Sequence, residues 1–303
     1  MDRSPEPDRA ARPHGPSPLA GVRVGIVGTG SMGEAMLAGM LRQRLVTPDQ
    51  VVCSHPRPAR AAHLRETYGI AVAAGNAEAA RGAGVCLLAV KPQVLPQVLP
   101  ELAPVLAADQ LVLSIVAGAS TRALGRGLRH PAIVRAMPNT PAQIGEGVTV
   151  WFATPAVTGD GKARTRALLV ALGRELEVED EAQVAMATAV SGTGPTYIFL
   201  FIEALIDAAV HIGFARHVAR ALVLDTMRGS AAFALQSGRH VAELRDMVTS
   251  PGGTSAEALA ALERGGLRTV VGDAVWAAYR RTLRLEAQLE GAEARGADDP
   301  AAG

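Results

Sequence analysis

Three glycines have the spacing of a phosphate-binding loop, in the stretch GTGSMG at residues 28–33. Gly28 would make the tight turn, Gly30 would let the backbone approach a pyrophosphate, and Gly33 would let the next helix pack closely on the strand. The loop follows a β-branched run and opens a helical pattern, which is the context that this motif requires. The first N–H groups of such a helix favour phosphate. The pattern predicts a dinucleotide site, and an ordinary Gly-rich turn is the alternative.

The end of the second predicted strand bears on the choice between NAD and NADP. Proteins that bind NAD usually place an Asp or Glu there, on the 2′-hydroxyl of the ribose. The stretch CSHPRPAR at 53–60 contains no acid, whereas Ser54, Arg57 and Arg60 could hold a 2′-phosphate through charge-assisted hydrogen bonds. The sequence therefore favours NADPH and leaves NADH open. The alternative is that the arginines only solvate the next helix.

The third apolar run ends in AVKPQ at residues 89–93, where Pro92 stops the strand. This break falls at the carboxyl edge of the predicted sheet, where ligands bind in open α/β folds. The spacing alone leaves two interpretations of Lys91, a cofactor contact or an exposed loop charge.

Strands that alternate with helices and are bounded by Gly and Pro predict a parallel, doubly wound α/β sheet. The predicted strands are the runs at 22–28, 50–55, 84–90, 110–118, 132–138 and 147–153. The pattern then changes to Ala/Leu segments with helical spacing, at 181–191, 195–213, 216–236, 239–248, 254–263 and 266–288. We expect a cofactor domain over 21–180, an all-helical domain over 181–288, and disordered extensions at 1–20 and 289–303.

Composition narrows the function classes. The chain has 303 residues and a net charge of +1, which gives no argument for a nucleic-acid partner or an anionic membrane. The first twenty residues lack the apolar stretch of a signal peptide. The apolar segment 197–214 carries Glu203 and Asp207, which argues against a membrane span. Cys53 and Cys86 lie in apolar runs that predict buried, reduced thiols, and the seven His show no metal-ligand spacing. We expect a cytoplasmic protein without a metal.

Taken together, these stretches resemble the pyrroline-5-carboxylate reductases over about residues 22–286. The resemblance is carried by VGIVGTGSMGEAM, LLAVKPQ, SIVAG, RAMPNTPAQIGEGVT, AVSGTGPTYIFLFIEALIDAA, ELRDMVTSPGGTS and LERGGLRTVVGDAVWAAYRR. The order and separation of MPNTPA, SGTGP and MVTSPGG are highly specific. The resemblance implies a Rossmann-type domain that binds NAD(P)H and an all-helical domain that forms an intertwined homodimer. The family's active site lies between the cofactor domain and helices of the dimer, and larger assemblies of dimers occur.

The resemblance also implies the activity, which is reduction of L-1-pyrroline-5-carboxylate to L-proline by hydride transfer from NAD(P)H. Residue by residue, the resemblance implies cofactor contacts in five segments, and the glycine motif adds Gly33. The predicted contact residues are Val27, Gly28, Thr29, Gly30, Ser31, Met32, Gly33, Ser54, Asn76, Ala89, Val90, Lys91, Pro92, Val116 and Ala117. From the residues alone, Asn76 is predicted to be a helix N-cap. Both roles are compatible.

The substrate of this family is a five-membered cyclic imine with a carboxylate, and the stretch SPGGTS offers matching groups. The N–H groups of Gly253, Thr254 and Ser255 would point out of a helix start toward the carboxylate. Gly252 and Gly253 would let the ligand come close, and the Ser250 hydroxyl can donate or accept. The resemblance makes Ser255 the catalytic partner of the imine nitrogen, where Thr is usual. The alternative is a plain turn with Thr254 or Ser255 as N-cap.

Three rival functions are compatible with parts of this pattern. A 3-hydroxyacid dehydrogenase also joins these domain types, but that family resembles a pattern with a helical Lys in the second domain. Residues 163–303 contain no Lys. Other cyclic-imine reductases stay open, because loop composition does not measure pocket size. A non-catalytic NAD(P)-binding sensor could lose the MVTSPGGTS turn, whose presence argues against that class.

Overall fold

The computed structural model describes residues 17–297, and the side chains up to residue 291. These residues form two compact units. One unit contains 17–194 and 277–297, and the other contains 195–276. Of the two ends predicted to be disordered, residues 17–20 form a turn and residues 289–297 continue the last helix, whereas 1–16 and 298–303 lie outside the described residues.

The first unit contains a single sheet of eight strands. They are β1 (Val24–Val27), β2 (Val51–Ser54), β3 (Ala71–Val72), β4 (Val85–Leu88), β5 (Leu111–Ser114), β6 (Ile133–Met137), β7 (Gly147–Ala153) and β8 (Gly173–Glu177). The order across the sheet is β3-β2-β1-β4-β5-β6-β7-β8. The predicted doubly wound sheet is thus confirmed, but it is not wholly parallel, because β7 runs antiparallel to β6. The short strand β3 and the polar strand β8 were not predicted.

The central strands are apolar apart from a Ser at the end of β2 and of β5, as expected for strands covered by helices on both faces of the sheet. Every residue of β1, β2, β4 and β5 is buried. Neighbouring residues of β1 point into different cores, Ile26 into one apolar cluster and Val27 into the other. The covering helices are α1 (Ser31–Arg42), α2 (Pro58–Tyr68), α3 (Asn76–Ala80), α4 (Leu95–Leu102), α5 (Thr121–Leu128), α6 (Gly159–Val170) and α7 (Ala182–Ala187).

The other unit is helical. It contains α8 (Gly194–His211), α9 (Arg216–Ser237), α10 (Val241–Met247), α11 (Thr254–Arg264) and the first part of α12 (Leu267–Ala297). Within α8–α11, the buried residues among those described are Ala219 and Val223. Large apolar side chains instead face outward, with Phe199 61% exposed, Leu200 66% and Ile212 77%. Much of the apolar surface of this unit is therefore exposed in the isolated chain.

By length and composition, the helical segment Ala182–His211 could cross a membrane. Its mean hydropathy over an 18-residue window is 1.4, and 6% of that window is buried within the chain. Glu203 and Asp207 interrupt the apolar character of this segment. Its outward apolar face needs a covering partner, and a second protein chain meets that need as well as a bilayer does.

The unit boundaries differ from the predicted domain boundaries. The helix α7 packs on β6 and β7, so the first unit extends to residue 194 rather than 180. The last part of α12 also belongs to it, because Leu289 is buried in its second apolar cluster. At the other end, residues 17–21 form a turn with Leu19 fully buried. A side-chain hydrogen bond from Gln50 to the Leu19 carbonyl, at 2.9 Å, holds this turn.

Candidate cofactor and substrate sites

Four of the predicted cofactor segments meet at one edge of the sheet. The glycine loop follows β1, Ser54 ends β2, residues 89–92 follow β4, and residues 116–117 follow β5. These strands are parallel neighbours, so their carboxyl ends lie side by side. The strand order reverses between β1 and β4, and crevices at such switch points hold the ligands of open α/β sheets.

The three glycines of the loop have different surroundings. Gly28 has φ +84°, and a Cβ there would lie 2.4 Å from Val90 Cγ1. Around Gly30 no atom lies within 4 Å of the Cβ position, so the backbone is open on that side. A Cβ at Gly33 would lie 3.2 Å from that of Ala89. These surroundings are compatible with the roles predicted for the three glycines, and the first N–H groups of α1 have no intrahelical acceptor.

A cavity of about 430 Å³ opens beside this loop. It is lined by the predicted residues Gly28, Ser54, Asn76 and Val90. It is also lined by three polar side chains that the sequence did not point to, His55, Gln97 and Glu101. The size and position of the cavity suit the adenosine half of a dinucleotide.

A chain of hydrogen bonds crosses the wall of this cavity. The Ser54 hydroxyl donates to Asn76 Oδ1 at 2.8 Å, and Asn76 Nδ2 donates to Glu101 Oε2 at 2.8 Å. Asn76 is the first residue of α3, and Gly75 occupies the N-cap position, so the predicted N-cap role of Asn76 is wrong. The side chain of Asn76 instead links the end of β2 to α4.

The two arginines after β2 differ in their surroundings, since one is paired with a carboxylate and the other is exposed to solvent. Arg60 donates to Glu34 of α1 and does not line the cavity. Arg57 is exposed immediately before α2. Burial lowers the pKa of His55, and the charge of Arg57 lowers it further, so His55 is neutral at pH 7. Arg57 also lies outside the lining of the cavity, but no ion pair is formed by its side chain among the described residues, so it is the candidate cation of this segment.

The other predicted cofactor residues lie around the same edge. Lys91 is exposed before a short 3₁₀ turn that begins at Pro92, and it is absent from the lining of the cavity. The fully buried residues Val27 and Thr29 support the loop, and the N–H of Thr29 donates to the Ser54 carbonyl at 3.2 Å. Ser31 is exposed at the start of α1, Met32 packs against the core, Ala89 and Ala117 are half-buried, and Val116 is buried.

The predicted substrate turn connects α10 to α11. The N–H of Gly253 donates to the Ser250 carbonyl at 3.0 Å, across Pro251 and a Gly252 with φ +68°. A Pro followed by a Gly with positive φ is typical of a type II turn. A Cβ on Gly253 would lie 2.4 Å from Ser250 Oγ and 3.1 Å from the Ser250 carbonyl oxygen, so a side chain there would displace the Ser250 hydroxyl. The Gly253 N–H closes the turn here, so its predicted contact with an anion requires this bond to open and stays a prediction.

The helix after this turn begins with two candidate donors. Gly253 is the N-cap of α11 and makes no side-chain cap bond, so the alternative of a Thr254 or Ser255 cap is not what forms. The N–H groups of Thr254 and Ser255 lie in the first turn, where helix donors have no intrahelical acceptor. Ser250 is exposed and Ser255 is half-buried. The turn and the helix start thus present two N–H groups and three hydroxyls, those of Ser250, Thr254 and Ser255.

Cys53 and Cys86 are buried and free, as predicted. Burial raises the pKa of the Cys86 thiol to about 12 and also raises the pKa of Cys53. Thiols in these surroundings are unreactive. Within residues 17–297, no group of three or more His, Cys, Asp or Glu is placed to hold a metal ion.

Comparison with known proteins gives a consistent result. Residues 181–285 match the family model described as pyrroline-5-carboxylate reductase dimerisation, and residues 23–118 match that of coenzyme F420-dependent NADP oxidoreductases. The pyrroline-5-carboxylate reductase of Synechocystis is 42% identical over 87% of this chain and 98% of its own. That of Escherichia coli is 38% identical over the same shares.

Solved structures agree with these relatives. The pyrroline carboxylate reductase of Plasmodium falciparum, with NADP bound, is 31% identical over 88% of this chain and 98% of its own, with a TM-score of 0.80. The pyrroline-5-carboxylate reductase of Coxiella burnetii is 34% identical over 87% of this chain and 98% of its own, with a TM-score of 0.81.

Proposed function

The chain belongs to the pyrroline-5-carboxylate reductase family, and we propose that NADPH is the hydride donor that it uses best. It is an NAD(P)H-dependent oxidoreductase that reduces L-1-pyrroline-5-carboxylate to L-proline, the last step of proline biosynthesis. The observation that carries the assignment is the combination of the open glycine loop at the end of β1 with the SPGGTS turn before α11.

The preference for NADPH is supported by the residues at the end of β2. No carboxylate follows β2 directly, and Arg57 is exposed there as a partner for a 2′-phosphate. A guanidinium can hold phosphate oxygens through paired, charge-assisted hydrogen bonds. One solved relative contains NADP, which fits this cofactor. The remaining residues predicted to hold it surround the glycine loop and the ends of β4 and β5.

The substrate carboxylate is proposed to bind at the start of α11. The N–H groups of Thr254 and Ser255 and the dipole of that helix favour an anion. The tight turn at Gly252 and Gly253 keeps side chains away, so that the ligand can approach the backbone. The exposed Ser250 hydroxyl offers a further hydrogen bond.

The reaction does not require a strongly acidic or basic catalytic residue. When bound, the nicotinamide supplies a hydride to the imine carbon. A protonated imine is already a strong electrophile, so the main tasks of the protein are to hold and orient the reactants. The Ser255 hydroxyl is proposed to hydrogen-bond the ring nitrogen and to support its protonated state.

The chain forms a homodimer through its helical domain, whose family model covers residues 181–285. The outward apolar side chains of α8, such as Phe199 and Leu200, suit an interface that excludes water. We further propose a cytoplasmic location and leave assembly beyond the dimer to measurement.

Substitution of Ser255 tests the substrate site. Ser255→Ala should lower turnover by about 100-fold, because a hydrogen bond to the reacting group is lost. Its Kd for NADP⁺ should stay within about twofold, which is less than 0.5 kcal/mol. Ser255→Thr is the matched control that keeps the hydroxyl, and it should retain turnover. Unchanged turnover in Ser255→Ala would remove this residue from the mechanism.

A further inference from the structure

We propose that Glu101 is a specificity-determining residue of the cofactor site, which disfavours a 2′-phosphate relative to a 2′-hydroxyl through Asn76 and Ser54. The inference rests on the proposed function, because it takes the cavity beside the glycine loop as the adenosine site. Glu101 belongs to α4, far in sequence from the end of β2 where such an acid usually lies.

The hydrogen-bond chain fixes where the proton of Ser54 points. A carboxylate can only accept, so Asn76 must turn its Nδ2 group toward Glu101. Asn76 Oδ1 then faces Ser54 and can only accept, so the Ser54 hydroxyl must donate to it. The hydroxyl therefore has only lone pairs left for a ligand. Lone pairs suit a ribose 2′-hydroxyl, which can donate, and are unfavourable to a phosphate oxygen.

The charge of Glu101 acts in the same direction. Two hydrogen bonds of 2.8 Å and the width of one amide place its carboxylate within about 8 Å of Ser54 Oγ. That distance is no larger than the screening length at physiological salt, so a 2′-phosphate held near Ser54 experiences the repulsion. At the effective dielectric constant of a protein surface, the repulsion corresponds to about a tenfold loss of affinity.

Arg57 and Glu101 therefore oppose each other in cofactor choice. Arg57, which is exposed in the loop after β2 and outside the lining of the cavity, would attract the 2′-phosphate, while Glu101 supplies from α4 the carboxylate that the loop lacks. Neutral His55 adds no positive charge to this balance. The expected result is an enzyme that uses both cofactors, with a preference for NADPH that Glu101 restrains.

The test measures the ratio of kcat/KM for NADPH to that for NADH, and the Kd of two cofactor fragments by calorimetry. The fragments are adenosine 2′,5′-bisphosphate and AMP. Glu101→Gln removes the charge at nearly constant volume and should raise both the kinetic ratio and the fragment ratio about tenfold. AMP affinity alone should change less than twofold, and the melting temperature should stay constant because Glu101 is exposed.

Two further variants serve as a control and as the opposite change. Asp109→Asn removes an exposed carboxylate that does not line the cavity, and it should leave the ratio unchanged. Gln97→Glu adds a carboxylate to the same cavity one turn earlier on α4, and it should lower the ratio. A ratio that does not respond to Glu101→Gln, or equal weakening of both fragments, would overturn the inference.

Fragment binding separates this inference from the proposed function. If the fragment ratio responds to Glu101 while pyrroline-5-carboxylate is not reduced, the proposed function fails and the role of Glu101 stands. If pyrroline-5-carboxylate is reduced and neither ratio responds, the role of Glu101 fails and the proposed function stands.

Discussion

Replacing Gly30 by Ala adds one methyl group to the side of the loop that faces no protein atom within 4 Å. The backbone there has φ −78° and ψ −163°, which alanine adopts without strain. The free energy of unfolding should therefore change by less than about 0.5 kcal/mol. The same methyl would occupy the space through which a pyrophosphate reaches the N–H groups of α1.

The expected effect of Gly30→Ala is on cofactor binding. Loss of one hydrogen bond to a charged phosphate costs about 1.5–3 kcal/mol, so the Kd for NADP⁺ should rise by about 10- to 100-fold. Calorimetric titration with NADP⁺ measures this change, and thermal unfolding without cofactor measures stability.

Gly28→Ala is the matched control, because the same methyl meets protein there. Its Cβ would lie 2.4 Å from Val90 Cγ1 and 2.9 Å from Val90 N and Cα, at a backbone φ of +84°. The left-handed conformation costs about 1–2 kcal/mol, and overpacking against the backbone adds about 1–3 kcal/mol. Gly28→Ala should therefore unfold at a lower temperature, unlike Gly30→Ala. Equal destabilisation by the two variants, or unchanged NADP⁺ affinity in Gly30→Ala, would refute the assignment of the open side to the cofactor.

Three other outcomes follow from buried or paired polar groups. The Thr149 hydroxyl is buried without a hydrogen-bond partner among the described residues, so Thr149→Val should raise the free energy of unfolding by about 1 kcal/mol in urea titration. Cys53 and Cys86 should stay unlabelled by a thiol reagent in the native protein at pH 8 and react after unfolding, because burial raises the pKa of both. Burial raises the pKa of Glu34, but hydrogen bonds from Arg60, His63 and Tyr68 outweigh it and leave the pKa lowered. Glu34→Gln should therefore destabilise the protein at pH 7, and its difference from wild type should shrink as the pH falls below 4.5.

The sequence predicted the strands that are buried on both faces. Runs such as GVCLLAV leave no other place for their side chains than the middle of a covered sheet. The strand β8, with the sequence GRELE, was not predicted because it is polar. It lies at the edge of the sheet, and its charged residues pair with α6. The antiparallel direction of β7 could not be predicted from its local sequence either, since it depends on the path of the connection after β6.

The candidate sites divide in the same way. Spacing was enough to point to the glycine loop, whereas the turn before α11 was singled out by the family resemblance. Both proposed roles rest on consecutive backbone groups, which a sequence motif can reveal. Glu101 was not predicted because a single charged residue on an amphipathic helix is typical of a solvent-exposed helix face. Its contact with Asn76 also joins residues that are 25 positions apart in the sequence. The sequence offers Arg60 as one possible partner of the phosphate, and its pairing with Glu34 is not visible there because it requires α1 and α2 to lie side by side.

The reaction assigned to this chain is the reduction of a cyclic imino acid with a nicotinamide cofactor. The direct measurement is oxidation of NADPH and of NADH, in parallel, with L-1-pyrroline-5-carboxylate as substrate and proline quantified as product. We expect turnover with both cofactors, faster with NADPH, and one molecule of proline formed for each molecule of cofactor oxidised. Oxidation of neither cofactor, by folded protein that binds NADP⁺, would contradict this assignment.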